Sequence, residues 1–247
     1  EGLEFTYLGG GRTGFAVGDK SFTLQPGDLT ITRPWQRHRV GNPNVGASRL
    51  YYLILDVGVR RPNQPWRWPK WLLASEADLR RLTNLLRHNE QPVWHATPEV
   101  GKCFERLDEI CAGRKGPDLT RLKIYINELI VAVGEMLERK KIPLDESLSS
   151  TRRTVELFLQ GLPAQIGDAW TLDVMAGRCG MGQTRFAWYC KQITNLSPIQ
   201  YLARCRVEAA AQLLKSDPAA SITAVALSCG FQSSQYFATV FRSLTGK

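Results

Sequence analysis

One pattern, repeated at a fixed offset, constrains this chain more than any other feature. Leu172, Met175, Ala176, Gly180 and Met181 recur fifty residues later as Ile222, Val225, Ala226, Gly230 and Phe231, and Cys179 and Cys229 keep the same register. In each copy a short helix with an apolar face meets a glycine, where a residue lacking Cβ takes positive φ at little cost. A second helical pattern then follows. Its inner face carries Phe186, Tyr189 and Cys190 in the first copy. In the second copy it carries Phe237, Val240 and Phe241, one residue later relative to the turn. This is a helix-turn-helix present twice.

Between the copies runs an alanine-rich stretch from Ser197 to Lys215, with Ser197 placed as N-cap and Pro198 at the first helical position. Its high helix propensity predicts a straight spacer holding two exposed helices in fixed relation. Two such helices about 34 Å apart enter successive major-groove faces on one side of B-DNA. Charge agrees. The chain carries +9, and residues 147–247 hold ten bases against five acids, which favours an anionic partner there.

The residues of this region resemble the AraC/XylS family of bacterial transcription regulators from about Thr151 onward. The resemblance rests on Leu172, Met175-Ala176 and Gly180-Met181; then Asn195, Ser197-Pro198, Tyr201-Leu202, Arg206, Ala210 and Leu213-Leu214. It continues through Ile222, Val225-Ala226, Gly230-Phe231, Ser233, Tyr236-Phe237 and Val240-Phe241-Arg242. Gly182 stands where the family has a capping Ser, and Asn195 where it has Gly, a position at which Asn tolerates a left-handed helix end. The family's trailing Pro and Tyr-Arg segment would fall beyond Lys247.

By motif position, the resemblance implies base contacts from Thr184, Ala187 and Trp188 in the first exposed helix, and from Ser234, Gln235 and Thr239 in the second. Gln235 suits a bidentate pair to adenine, and Thr184 and Ala187 suit a thymine methyl. Trp188 offers one donor and a broad apolar face. Arg185, Lys191, Ser233 and Arg242 read as phosphate contacts, which set register and carry no sequence information.

Residues 1–58 read as short strands, Leu3–Leu8, Arg12–Val17, Lys20–Leu24, Asp28–Thr32 and Arg49–Val57. Gly9-Gly10-Gly11, Gly18-Asp19, Pro26-Gly27 and Asn42-Pro43-Asn44 separate them. Such a run suggests a small barrel or sandwich. The stretch from Leu24 to Val40 resembles the cupin signature, a Pro-Gly-Asp turn between strands followed by a proline and a histidine. A cupin's usual first strands would precede Glu1, and the chain reads as cut at both ends.

Catalytic cupins resemble an HxH pair joined by an acid and a later His. Of the three histidines, His38, His88 and His95, only His38 lies in the strand region, so no metal site and no cofactor are expected. A pocket for a small effector is expected instead, with Arg12, Arg33, Trp35, His38, Tyr52 and Ile54 as candidate lining groups. The resemblance to sugar-responsive cupins points to the strands carrying His38 and Tyr52.

Residues 59–146 read as a linker and a helical region. Arg60 to Trp71 is rich in Pro and Trp, a composition that pins a linker by packing or stacks on a sugar or base. Helices are predicted over Glu76–His88 with Ser75 as N-cap, over Pro98–Gly113 capped by Thr97, and over Asp118–Lys140. In the last, Leu122, Ile126, Leu129, Val133 and Met136 recur at 4-3-4-3 spacing, widened by Ile130 and Leu137, so that one face would dock on the barrel and the other could pair with a second subunit. Pro143–Ser150 is the expected linker to the DNA-reading module of residues 147–247.

The expected fold is therefore α+β and multidomain: a cupin-like β-barrel with flanking helices, then an all-α double helix-turn-helix domain. The expected function is a ligand-responsive, sequence-specific, cytoplasmic transcription regulator, not an enzyme. Its partners are double-stranded DNA, a small effector such as a sugar, RNA polymerase if it activates, and a second copy through residues 118–140. No apolar run reaches membrane-spanning length. The six cysteines, with no CxxC pair, read as small buried hydrophobes of a reducing compartment. Two alternatives share the sequence: a cupin-fold enzyme fused to a DNA-binding module, and a DNA-binding protein whose barrel only dimerises.

Overall fold

In the computed structural model, which describes residues 2–41, 44–113 and 118–246, the chain divides into two units, Glu1–Ser150 and Thr151–Lys247. The turn expected at Asn42-Pro43 lies outside the described residues.

The strands of the first unit are β1 (Leu3–Gly11), β2 (Thr13–Val17), β3 (Lys20–Leu24), β4 (Asp28–Thr32), β5 (His38–Val40), β6 (Ser48–Leu55) and β7 (Val93–His95). They form a four-stranded sheet in the order β6-β1-β4-β7 and a three-stranded sheet in the order β3-β2-β5. The pairings within both are antiparallel. The expected barrel is corrected on this point. Closure requires edge strands to pair across the gap, and among the described residues the edges β6 and β7 pair with neither β3 nor β5.

The glycines at 9–11 also do not end β1 as expected. Pairing with β6 continues through Gly10 and Gly11 after a register shift at Leu8/Gly10. The bulge absorbs one residue without breaking the ladder.

Period-two alternation gives the larger sheet two unlike faces. Leu3 and Phe5 of β1, Leu29 and Ile31 of β4, and Leu55 of β6 join the main core with three helices, α1 (Glu76–Arg87), α2 (Pro98–Cys111) and α3 (Leu119–Arg139). The opposite face carries Glu4, Thr6, Thr30 and Thr32, flanked by Leu8. Leu8 packs with Phe15 and Leu24 of the smaller sheet. Trp66, Trp68 and Trp71 lie against the main core, and the Trp68 indole donates to Thr83 Oγ1 at 2.8 Å. These tryptophans are packing groups.

The α3 seam is buried inside this unit, with Leu129 and Val133 at 0% exposure. Only Leu119, Ile124 and Val131 among its large apolar residues remain exposed. Ser75 caps α1 through the Asp78 N–H, whereas Thr97 sits at the α2 N-cap without the expected cap bond. The segment expected as a free linker is folded. Glu146–Ser149 makes a 3-10 turn, Asp145 N–H donates to the His88 carbonyl at 2.8 Å, and His88 Nε2 lies 2.9 Å from Ser149 Oγ.

The second unit comprises α4 (Thr151–Gly161), α5 (Leu172–Arg178), α6 (Gln183–Thr194), α7 (Pro198–Ser216), α8 (Ile222–Ser228) and α9 (Ser234–Thr245). It has two cores. Val155, Leu159, Met175, Ala176, Phe186, Cys190 and Leu202 form one; Val207, Ala210, Val225, Ala226, Phe231 and Phe237 form the other. Helix α7 supplies residues to both. Ser197 and Gln200 close a capping box at its start, and Asn195 takes φ 61° at the end of α6.

Burial sets apart Leu129, which belongs to the α3 seam, from the exposed Val131, which lies outside it. Leu129→Ala should cost about 2–5 kcal/mol by opening a cavity, and Val131→Ala no more than about 0.5 kcal/mol in the isolated chain. Chemical denaturation of both variants checks this.

Candidate nucleic-acid interface and effector site

The two helix-turn-helix units repeat at the level of single hydrogen bonds. Gly180 N–H donates to the Gly177 carbonyl and Gly230 N–H to that of Leu227, both at 2.9 Å. Met181 N–H reaches Ala176 at 3.1 Å and Phe231 N–H reaches Ala226 at 3.0 Å. Gly180 and Gly230 have φ of 67° and 82°. These bonds satisfy the carbonyls left open at the ends of α5 and α8, so the turn leaves each first helix at the same angle.

The helices that follow, α6 and α9, are twelve residues each and match at an offset of fifty-one. Phe186 corresponds to Phe237 in the core. On the outer side, Thr184, Ala187, Trp188 and Lys191 fall at i, i+3, i+4 and i+7, which is one helix face. Their counterparts are Gln235, Ala238, Thr239 and Arg242. All are exposed except Ala187, which is half-buried. The structure thus groups the expected contacts on α6 and, on α9, adds Ala238 at the position equivalent to Ala187. That equivalence was available in the sequence from the one-residue slip of the second copy.

The remaining expected residues have local engagements. Trp188 is 57% exposed and meets Tyr189 edge-on, ring centroids 4.8 Å apart. The Arg185 guanidinium lies 5.9 Å from the Tyr189 ring centroid. Ser233 is the N-cap of α9, its hydroxyl oxygen accepting the Tyr236 N–H at 3.2 Å, with its own proton still available to an outside acceptor. Ser234 is half-buried. The Thr239 hydroxyl donates to the Gln235 carbonyl at 3.1 Å, which leaves its methyl and a lone pair for an outside group. Gly182 starts α6 with no side-chain cap. Tyr236, 57% exposed in the first turn of α9, was not among the expected contacts.

In the first unit the candidate effector residues separate onto different surfaces. Glu4, paired in register with Ile54 and Thr32, faces the smaller sheet, where His38 Nε2 lies 3.3 Å from its carboxylate. His38 Nδ1 is 3.0 Å from the Gln36 carbonyl. Both ring nitrogens thus meet oxygen acceptors, an arrangement that suits the imidazolium. Hydrogen bonding to Glu4 raises the His38 pKa, and the same bond lowers that of Glu4. Thr6, Thr13, Thr30 and Thr32 are buried, and Thr13 Oγ1 has no hydrogen-bond partner among the described residues. Tyr52, 73% exposed, pairs in register with Thr6 at the open side of this face, beside the exposed Ile54.

Arg33, Trp35 and Arg12 do not join that group. Arg33 is 3% exposed and points to the helix side, its Nε donating to the Leu86 carbonyl at 2.6 Å and its Nη1 to Gln36 Oε1 at 2.6 Å. Burial pulls its pKa down to about 10. Trp35 packs edge-on against Trp66 in the main core. Arg12 is exposed between β1 and β2. Alternation decides this: Thr32 faces the smaller sheet, so Arg33 faces away from it. Among the described residues no cluster of three His, Cys, Asp or Glu side chains converges on one point, and no helix is long and apolar enough to cross a membrane. Among the described residues Cys111 is exposed and the other five cysteines are buried.

Comparison with known proteins finds helix-turn-helix and transcription-regulator relatives. Residues 175–247 match a family described as a helix-turn-helix domain. The transcriptional activator RhaS of Escherichia fergusonii is 30% identical over 149 residues, 60% of this chain and 51% of that relative. RhaS of Escherichia coli O1:K1 is 33% identical over 107 residues, 43% of this chain and 38% of that one. The chain therefore spans about half or less of these curated relatives. Among solved structures, a DNA-binding transcriptional dual regulator from Escherichia coli K-12 is 32% identical and covers 38% of this chain and 82% of its own, with a TM-score of 0.34.

The Glu4–His38 pair gives the first unit a pH signature. A raised His38 pKa contributes stability that is full below its ordinary 6.5 and lost as pH rises through the raised value. A lowered Glu4 pKa contributes stability that is full above its ordinary 4.5 and lost as pH falls. The pair should stabilise most between those values. Thermal unfolding across this range should show a loss of stability on the alkaline side that His38→Gln flattens.

Proposed function

We propose that this chain, whose C-terminal unit belongs to the AraC/XylS family, is a sequence-specific DNA-binding transcription regulator that responds to a small ligand. The observation that carries the reading is the duplicated outer face: Thr184, Ala187, Trp188 and Lys191 on α6 and Gln235, Ala238, Thr239 and Arg242 on α9 stand in the same helical register behind identical turns. Each helix then lies in a major groove. Residues near its start reach base edges, and Arg185, Lys191, Ser233 and Arg242 hold phosphates. Curated relatives named as transcriptional activators support the same role, with contact to RNA polymerase where the chain activates.

The effector site is the face between the two sheets, where the buried Thr6, Thr30 and Thr32 and the half-buried Glu4 and His38 offer hydroxyl, carboxylate and imidazole groups, with Tyr52 and Ile54 exposed at the rim. That chemistry suits a hydroxylated small molecule such as a sugar. For the ligand to switch DNA binding, it must bind two arrangements of the protein unequally. A second copy would meet this one along the outer side of α3, through Ile124 and Val131, since the seam itself is spent inside the unit.

Two measurements check the reading. On a selected operator, Gln235→Ala should relax preference at a single base pair and cost about 1–3 kcal/mol. Arg242→Ala should weaken all sequences alike and reduce the salt dependence. Identical behaviour of the two variants would remove the assigned roles. A thermal-shift screen of sugars and polyols should find ligands that raise the melting temperature of the wild type and fail to raise that of a Thr6→Val variant.

A further inference from the structure

The spacer helix is not the only connection between the two halves of the C-terminal unit. The segment from Leu162 to Trp170 runs from one core to the other. Leu162 and Trp170 are buried in the first core, and Ile166 packs against the second. Within it, the Trp170 indole donates to the Gln165 carbonyl at 2.6 Å, and the Trp170 N–H donates to the Asp168 carbonyl at 2.8 Å.

Arg206, near the middle of α7, binds this segment. Its Nε donates to the Ile166 carbonyl at 3.0 Å and its Nη2 to the Asp168 carbonyl at 2.9 Å. The same guanidinium lies 6.0 Å from the ring centroid of Phe231, in the turn of the second helix-turn-helix. Contact there is close. A Cβ on Gly230 would lie 2.6 Å from the Ile166 carbonyl oxygen and 2.6 Å from Arg206 Nη2. A Cβ on Gly167 would lie 2.9 Å from the Ser228 carbonyl oxygen. Burial lowers the Arg206 pKa.

One side chain therefore joins the spacer helix, the connecting segment and the turn that launches α9. We propose that Arg206 is a positioning residue that fixes the pitch between α6 and α9, and so decides the base-pair separation between the two half-sites that this chain reads. The inference rests on the DNA-reading function proposed above. A single helix sets the distance between its ends but allows each half to rotate about it. Two hydrogen bonds in a planar fork, with a ring stacked on the third side, remove that rotation. Lysine keeps the charge but offers a compact ammonium in place of the fork.

The test uses the full chain. Bound duplexes are selected from a randomised pool, and the winning bipartite site is then rebuilt with one or two base pairs inserted or deleted between its halves. The wild type should lose about tenfold or more in affinity for each one-base-pair change. Arg206→Lys should bind each half-site in isolation as the wild type does, yet discriminate spacings by no more than about threefold. Arg206→Gln, able to keep one of the two carbonyl bonds, is the second variant, and each is assayed below its own melting temperature. A purely stabilising arginine would lower affinity for every spacing by the same factor. Unchanged spacing discrimination in the two folded variants, or a uniform loss across spacings, overturns the proposal. Failure of the wild type to select any bipartite site overturns the DNA-reading function itself, and the positioning role with it.

Discussion

The burial of one helix in two cores is the constraint on which the C-terminal unit depends. Each half contributes a seven-residue and a twelve-residue helix around the turn. Helices this short are marginal in water by themselves, and so small an assembly buries too little apolar surface to stand alone. Helix α7 resolves this by placing Leu202 in one core and Val207 and Ala210 in the other. The two readers are then stabilised jointly, and their relative placement becomes a property of the core. The outer faces of α6 and α9 need supply nothing to stability, which leaves them open to residues chosen for recognition.

The first unit is organised by a different asymmetry. Its larger sheet turns Leu3, Phe5, Leu29 and Ile31 toward three helices and turns Glu4, Thr6, Thr30 and Thr32 toward the smaller sheet. The helix side is densely apolar and holds the fold. The other side is held by a small apolar cluster around Leu8, Phe15 and Leu24 and by the Glu4–His38 pair. Buried hydroxyl and charged groups are costly unless they find partners, so this face is stabilised less strongly than the helix side.

Local signals were read correctly where a local interaction creates the structure. Ser75 and Ser197 cap their helices because a hydroxyl reaches an amide three residues on. Asn195 takes the left-handed end of α6 for an equally local reason. Thr97 has the right identity and position but makes no cap bond. The three-residue strand β7 exists only because Asp28, Leu29 and Thr30 lie beside it, and nothing within Val93–His95 announces it. The glycines at 9–11 have turn composition, but pairing with β6 carries them on as strand. Of the expected effector groups, Arg33 and Trp35 were drawn to the helix side by strand alternation and core packing, neither of which composition reveals.

The sequence by itself determined the duplicated helix-turn-helix, the spacer between its copies, and most of the residues on the outer faces of α6 and α9. Those follow from helical periodicity and turn chemistry, which act over a few residues. Only the tertiary structure decided that the sheets stay unclosed among the described residues, that the α3 seam is consumed inside its own unit, and that Glu4 meets His38 between sheets. Tertiary packing also placed Arg206 on two carbonyls some forty residues away. These outcomes depend on which distant surfaces compete for the same contact, and a linear pattern does not encode that competition position by position.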